Sequence, residues 1–171
     1  MSNSNHCGSF HNDSCFENNW QSCHHIPHVS LDAAETSNPT LQNIISNAQI
    51  LLGPIVTGTK NGMSIQSNGT SIILAVPGLY LVTYSTSAVW TTLPYGTNEA
   101  IVQLRLNQNL LAGSETRVQV LTPSPVENQK LNLSKTVLVP VTNVSSILSL
   151  INTSIQIMGF IDTTVTVVRV R

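Results

Sequence analysis

From Val29 to the C-terminus the chain has no cysteine and no histidine. That stretch therefore lacks the thiol nucleophiles, imidazole proton shuttles and soft metal ligands on which many enzyme sites depend. Charge is scarce as well. Asp, Glu, Lys and Arg make up 9% of the residues, against roughly 25% in an ordinary soluble domain. No basic cluster is present to neutralise phosphates, so nucleic acid is not an expected partner. No apolar run approaches the ~20 residues of a membrane-crossing helix, and no membrane partner is expected. The opening MSNSNHCGSF has neither the basic nor the apolar region of a secretory leader. The expectation is synthesis in a cytosol and, for any external location, exit without a leader. G-x-S-x-G, P-loop and G-x-G-x-x-G motifs are all absent. Glu99, Glu115, Glu127 and Asp162 are scattered as solvation alone requires. An enzyme is not expected, nor is a cofactor.

Polar uncharged residues fill the space left by charge: 17 Asn, 20 Ser and 18 Thr. The formal net charge of -1 gives little mutual repulsion and suits dense packing into an assembly. Residues 1–40 hold four acids and no base, whereas residues 41–171 hold seven bases and four acids. A weak arm-to-body attraction follows, screened at physiological salt to short range.

All the chemically reactive groups lie at one end. Cys7, Cys15 and Cys23 recur every eight residues among His6, His11, His24, His25 and His28. Three cysteines are an odd number, so one per chain has no internal partner. In an oxidising setting this points to intermolecular disulfides through Cys7, Cys15 and Cys23. His24-His25-x-x-His28 with the cysteines supplies zinc-type ligands, but no C-x₂₋₄-C pair is present and no metal centre is assigned. Phe10, Phe16 and Trp20, in an otherwise polar tail, are either docking anchors or a chance of composition. The stretch Ile26-Pro27-His28-Val29-Ser30-Leu31 is suited to add as a strand to an open sheet edge of a neighbour, with Ile26, Val29 and Leu31 as contacts. Residues 1–40 therefore read as an extended arm without regular structure of its own.

Residues 41–171 read as one all-β head. Thr40 to Ile45 is either a helical turn or a first strand. Short Val/Ile/Thr-rich clusters then alternate with turn residues, giving strands over 50–57, 63–66, 71–76, 79–90, 99–106, 109–112, 116–121, 131–139, 146–151, 154–160 and 163–170. Asn61-Gly62, Asn68-Gly69, Pro77-Gly78 and Asn107-Gln108-Asn109 are turn signals. Many short strands at this spacing mean an antiparallel sandwich or jelly roll. Ile101 to Leu106 alternates, with Gln103 and Arg105 on the wet side. Ile72–Val76, Val137–Val139, Ile147-Leu148 and Val165–Val170 instead carry apolar residues on both faces. Burial of the second face against another subunit removes that exposure, so an oligomer is expected.

SIILAVPGLYLVTYSTSAVW (residues 71–90) resembles the signature of complement-type heads in the tumour-necrosis-factor-like superfamily. There an apolar strand meets Pro-Gly-x-Tyr and then an alternating strand; here it reads Val76-Pro77-Gly78-Leu79-Tyr80-Leu81-Val82-Thr83-Tyr84. Ala100 to Gly113 looks like the family's next hairpin, and Met158-Gly159-Phe160 like the approach to its closing strand. The chain is more similar to bacterial members, the heads of the collagen-like glycoprotein and basal-layer proteins of the Bacillus exosporium, than to animal ones. The resemblance implies a homotrimer of jelly rolls with a structural role on the spore surface, released when the mother cell lyses. It places Leu79, Tyr80, Leu81, Val82, Tyr84 and Phe160 in the head core. The expected function is a self-assembling subunit whose trimeric heads are joined by arms, head to tail, into a fibre, appendage or outer layer. Its partners would be copies of itself and other spore-surface proteins. The alternative is a trimeric adhesin head at an appendage tip, with Trp90, Tyr95 and Asn98 as contacts for a glycan or receptor, although the favoured reading of Trp90 is packing at the end of the sandwich.

Overall fold

The structure is a computed structural model that describes residues 32–57, 62–93, 96–122 and 126–170. Among them no residue is helical. Twelve strands follow in order: β1 (Ala33–Asn38), β2 (Gln42–Ile44), β3 (Ile55–Thr57), β4 (Met63–Ile65), β5 (Ser71–Leu74) and β6 (Gly78–Leu93); then β7 (Gly96–Leu106), β8 (Asn109–Leu110), β9 (Thr116–Thr122), β10 (Val126–Val141), β11 (Ser146–Asn152) and β12 (Met158–Arg169). They form two sheets. The first runs β10-β6-β12-β1-β3, with β2 also on β12; the second runs β4-β5-β11-β7-β8, with β9 also on β7. From β5 onward the chain changes sheet at β5/β6, β6/β7, β9/β10, β10/β11 and β11/β12. Successive long strands thus face each other across the core, as in a jelly roll.

Period-two alternation builds that core. Tyr80, Val82, Tyr84, Ala88 and Trp90 of β6 point inward with Val165 and Val167 of β12. Ile72, Leu74, Val102, Leu104, Leu148 and Leu150 meet them from the second sheet. Each large side chain fully buried here contributes about 1.5–3 kcal/mol. Tyr84 also ties the sheets together by hydrogen bonding: its hydroxyl donates to the Ser114 carbonyl and lies 2.8 Å from Thr116 Oγ1. Ser114, itself buried, receives the Leu104 N–H on its Oγ at 3.1 Å and donates to the Leu111 carbonyl at 2.7 Å. Gly159 lets β12 approach β6, because a Cβ there would stand 2.8 Å from the Val89 carbonyl oxygen.

The sequence reading needs three corrections. Ala33–Asn38, assigned above to the arm, is strand β1 of the head. Only Ala34 and Thr36 of it are buried, so its own pattern is faint and its pairing with residues 163–168 of β12 holds it. Residues 50–57 are not one strand: Gly53 sits at φ +76 and breaks the run before β3. Of the two readings of Thr40 to Ile45 the strand holds, as the short β2. Finally, 154–160 and 163–170 join as β12. A bulge lies between Ile161 and Thr164, with Asp162 at φ 54. Residues 153–157 form a turn, in which Asn152 Nδ2 donates to the Gln156 carbonyl (3.2 Å) and Asn152 Oδ1 accepts from Ser154 N (3.0 Å).

Candidate functional site

The feature that sets this surface apart is the outward face of the first sheet. Register aligns Val168 with Leu81, and Leu81 with Leu138, in a row across β12, β6 and β10. Ala33 extends the row onto β1 opposite Val168, and Leu79 pairs with Pro140 one step beyond. These residues point away from the core. Leu81 is 37% exposed, Leu138 59% and Val170 42%. A row of large apolar side chains on a wide sheet face is the kind of surface that marks a protein contact. Next to it lies a band of hydroxyls. Thr166, Thr83 and Thr136 align, as do Thr164, Ser85 and Ser134. Thr83 and Thr136 Oγ1 atoms are 2.9 Å apart, and Ser85 Oγ donates to Asn132 Oδ1 at 3.1 Å. Self-paired hydroxyls are cheaper to desolvate than ionised groups.

The apolar row lies at the end of the sheet where the chain comes in from residues 1–31. Arg169 N donates to the Asp32 carbonyl at 2.8 Å, its Nη1 stands 3.6 Å from Asp32 Oδ2, and its Nη2 donates to the Pro77 carbonyl at 3.1 Å. At the Pro-Gly step itself, the Tyr80 hydroxyl donates back to the Val76 carbonyl. This is the physical content of the Pro-Gly-x-Tyr motif: the tyrosine closes the turn that precedes its own strand. Burial raises the Tyr80 phenol above its ordinary value, opposed by the Arg169 charge. Burial likewise raises Tyr84, partly offset by its bond to Thr116.

The residues picked out by sequence divide accordingly. Tyr80, Val82, Tyr84 and Phe160 are buried, whereas Leu79 and Leu81 belong to the outward face. The period of two forces this, since Leu79 and Leu81 alternate with Tyr80 and Val82. Of the residues considered for glycan contact, Trp90 is 5% exposed and Asn98 4%, so neither offers a face to a sugar, and Tyr95 lies outside the described residues. Cys7, Cys15, Cys23, Phe10, Phe16, Trp20, Ile26, Val29 and Leu31 also lie outside them, as do all five histidines. Among the described residues no group of three or more His, Cys, Asp or Glu side chains is placed to hold a metal ion. Sequence reasoning found the two-faced strands but not the row, because which strands are neighbours is set by topology.

No protein-family model matches the chain, and no curated protein matches it in sequence. Solved structures do. The Eiger TNF of S. frugiperda superposes with a TM-score of 0.65 at 12% identity, over 83% of this chain and 94% of that one. The globular domain of zebrafish complement 1qA gives 0.58 at 8% identity, over 82% and 98%. Murine APRIL gives 0.57 at 10% identity, over 82% and 99%. The head is therefore a jelly roll of the tumour-necrosis-factor and complement type, and at these identities the likeness extends to the fold alone.

Proposed function

We propose that the chain is a structural, self-assembling subunit of a bacterial spore surface, with heads that trimerise and arms that join trimers into a fibre or layer. The observation that carries the assembly is the uncovered row Val168, Leu81 and Leu138 on the first sheet. Burying it removes an apolar row that the strand pattern leaves in water. Because the chain enters the head beside this row, three arms would leave a trimer from one end, gathered near its axis. That geometry suits cross-linking through Cys7, Cys15 and Cys23. A strand edge for an incoming segment is also at hand: among the described residues β10 pairs in a sheet with β6 alone, and its other edge is met only in part, where Thr116 Oγ1 donates to the Ser134 carbonyl. A head-to-tail contact made this way does not close on itself, so it propagates. The spore setting rests on the sequence resemblance.

The test is electron microscopy of the purified full chain, with and without reductant, beside light scattering. Fibres or sheets that shorten on reduction, and shorten equally when Cys7, Cys15 and Cys23 are all changed to Ser, are the expected result. Monodisperse single chains at micromolar concentration would sink the reading.

A further inference from the structure

The second sheet carries a cleft of about 360 Å³ on its outward face, at the small end of the roughly 300–1,000 Å³ range of small-molecule sites. Among its lining residues is Arg105 of β7, turned outward because its neighbour Leu104 is buried in the core. Every other described basic side chain has a partner. Arg117 has Glu99 and Glu115, Lys130 has Asp162, Arg169 has Asp32, and Lys135 donates to the Glu115 carbonyl. Among the described residues Arg105 has none, and no carboxylate lines its cleft.

The groups around Arg105 fall into two kinds. Some are held in place. Gln49 Nε2 donates to Ser71 Oγ (3.2 Å) and Ser149 Oγ (3.0 Å), its Oε1 accepts from Thr70 Oγ1 (2.8 Å), and the two serine hydroxyls are 2.8 Å apart. Ser71 and Ser149 are both buried. This network fixes one wall. Asn107 braces the opposite rim, accepting from Ile147 N at 2.8 Å and donating to Ser146 Oγ at 3.0 Å. The remaining groups are unengaged: the carboxamides of Gln66 and Gln108 line the cleft and have no hydrogen-bond partner among the described residues. Gln108 is held at φ 74, directly after Asn107 at φ 49. A left-handed backbone is less favourable for glutamine than for glycine at this position of the β7–β8 turn. Strain of this kind tends to collect at binding positions.

We infer that this cleft binds a carboxylate-bearing saccharide, a uronic-acid residue of an acidic polysaccharide being the class that fits. The guanidinium offers a planar fork to the carboxylate. Two unengaged carboxamides supply both donors and acceptors for neighbouring ring hydroxyls. Ile147, 36% exposed, gives a small apolar patch for a ring face. A peptide carboxylate fits less well, because Arg105 and Ser149 pair with each other and with strands on their far sides, leaving no free edge for a peptide backbone. The cleft lies on the sheet opposite the apolar row. It does not depend on the assembly reading.

The test is titration of the full chain with trigalacturonate and with neutral galactotriose at low salt, followed by calorimetry and ligand-observed NMR. Trigalacturonate should bind at least about tenfold tighter than the neutral sugar. Arg105→Gln should abolish the difference while leaving the melting curve unchanged. Gln108→Gly should raise the melting temperature, by relieving the turn, and still weaken binding. A synthetic peptide of residues 10–20, carrying Asp13 and Glu17, serves as the rival ligand. The inference is overturned if Arg105→Gln binds trigalacturonate as well as the parent does. It is overturned equally if trigalacturonate shows no binding at about 10 mM, or if only the peptide binds in an Arg105-dependent way.

Discussion

The two outward faces of this sandwich have opposite chemistry. The first sheet shows water a row of Leu and Val beside a band of Ser and Thr in which Thr83 and Thr136 bond to each other, with Glu35 in register at its margin and the Lys130–Asp162 ion pair farther along. The second shows water Arg105, Arg117 and Glu99 among glutamines. Both faces belong to one small head and follow the same alternation, so the difference lies in which residue types occupy the outward positions. Apolar and self-paired hydroxyl groups lose little when water is removed; charges and free amides lose much. The first face is thus suited to covering by another subunit and the second to staying wet.

The sharpest way to break this contrast is to exchange a charge for part of the row. Leu81→Glu leaves the core untouched, since the side chain points outward, but sets a carboxylate where burial would leave it unpaired. The expected outcome is a drop in mass by light scattering from three chains to one, with an unchanged β-type circular dichroism spectrum. Arg105→Glu, on the other face, should leave the mass as it was. If both variants stay trimeric, the row is not the interface.

A smaller effect separates the core from both faces. Tyr84→Phe keeps the ring but removes the hydroxyl that reaches Ser114 and Thr116 from the opposite sheet. The loss should be about 1–2 kcal/mol in denaturant unfolding, with the oligomeric mass unchanged. The same hydroxyl gives an alkaline signature. Burial raises the phenol's pKa in the folded state, so the fold holds the proton more tightly than the unfolded chain does. Its contribution is fully present below the unfolded value near 10 and is lost as pH rises through the higher folded value. Unfolding midpoints followed through the alkaline range should fall less steeply for Tyr84→Phe than for the parent. Parallel curves would show that the phenol does not couple to folding.

How much of this could be read from residues alone varies with what holds each element. Alternation made β7 legible, including the outward turn of Gln103 and Arg105, because one face of that strand meets the core. Two-sided apolar strands made the existence of a second buried surface legible. Its composition was not: Val168, Leu81 and Leu138 are far apart in sequence, and their alignment depends on β12 lying between β6 and β1. β1 itself was missed, since AAETSN has little apolar pattern and owes its place to β12. Ile155 and Ile157 misled in the other direction. Their spacing mimics a strand, yet they are 94% and 64% exposed on a turn that Asn152 closes. The Arg105 cleft needed Gln49, Gln66 and Ser149 brought together from three separate segments, which no local pattern announces.

The smallest expected effect tests whether charge on the wet face does anything for the fold. Arg117 stands 3.0 Å from both Glu99 Oε1 and Glu115 Oε1; the first is an ion pair without hydrogen-bond geometry, the second a true hydrogen bond. Its side chain is 54% exposed, so water and salt screen both pairs. Arg117→Gln should therefore leave the denaturation midpoint, the mass and trigalacturonate binding within error of the parent. Glu115, 44% exposed, stays hydrated without the guanidinium, so what cost there is falls on Glu99, whose Oε1 is buried. A midpoint shift as large as that of Tyr84→Phe would mean that the charged face carries stability of its own. The division between a face suited to covering and a face suited to water would then have to be redrawn.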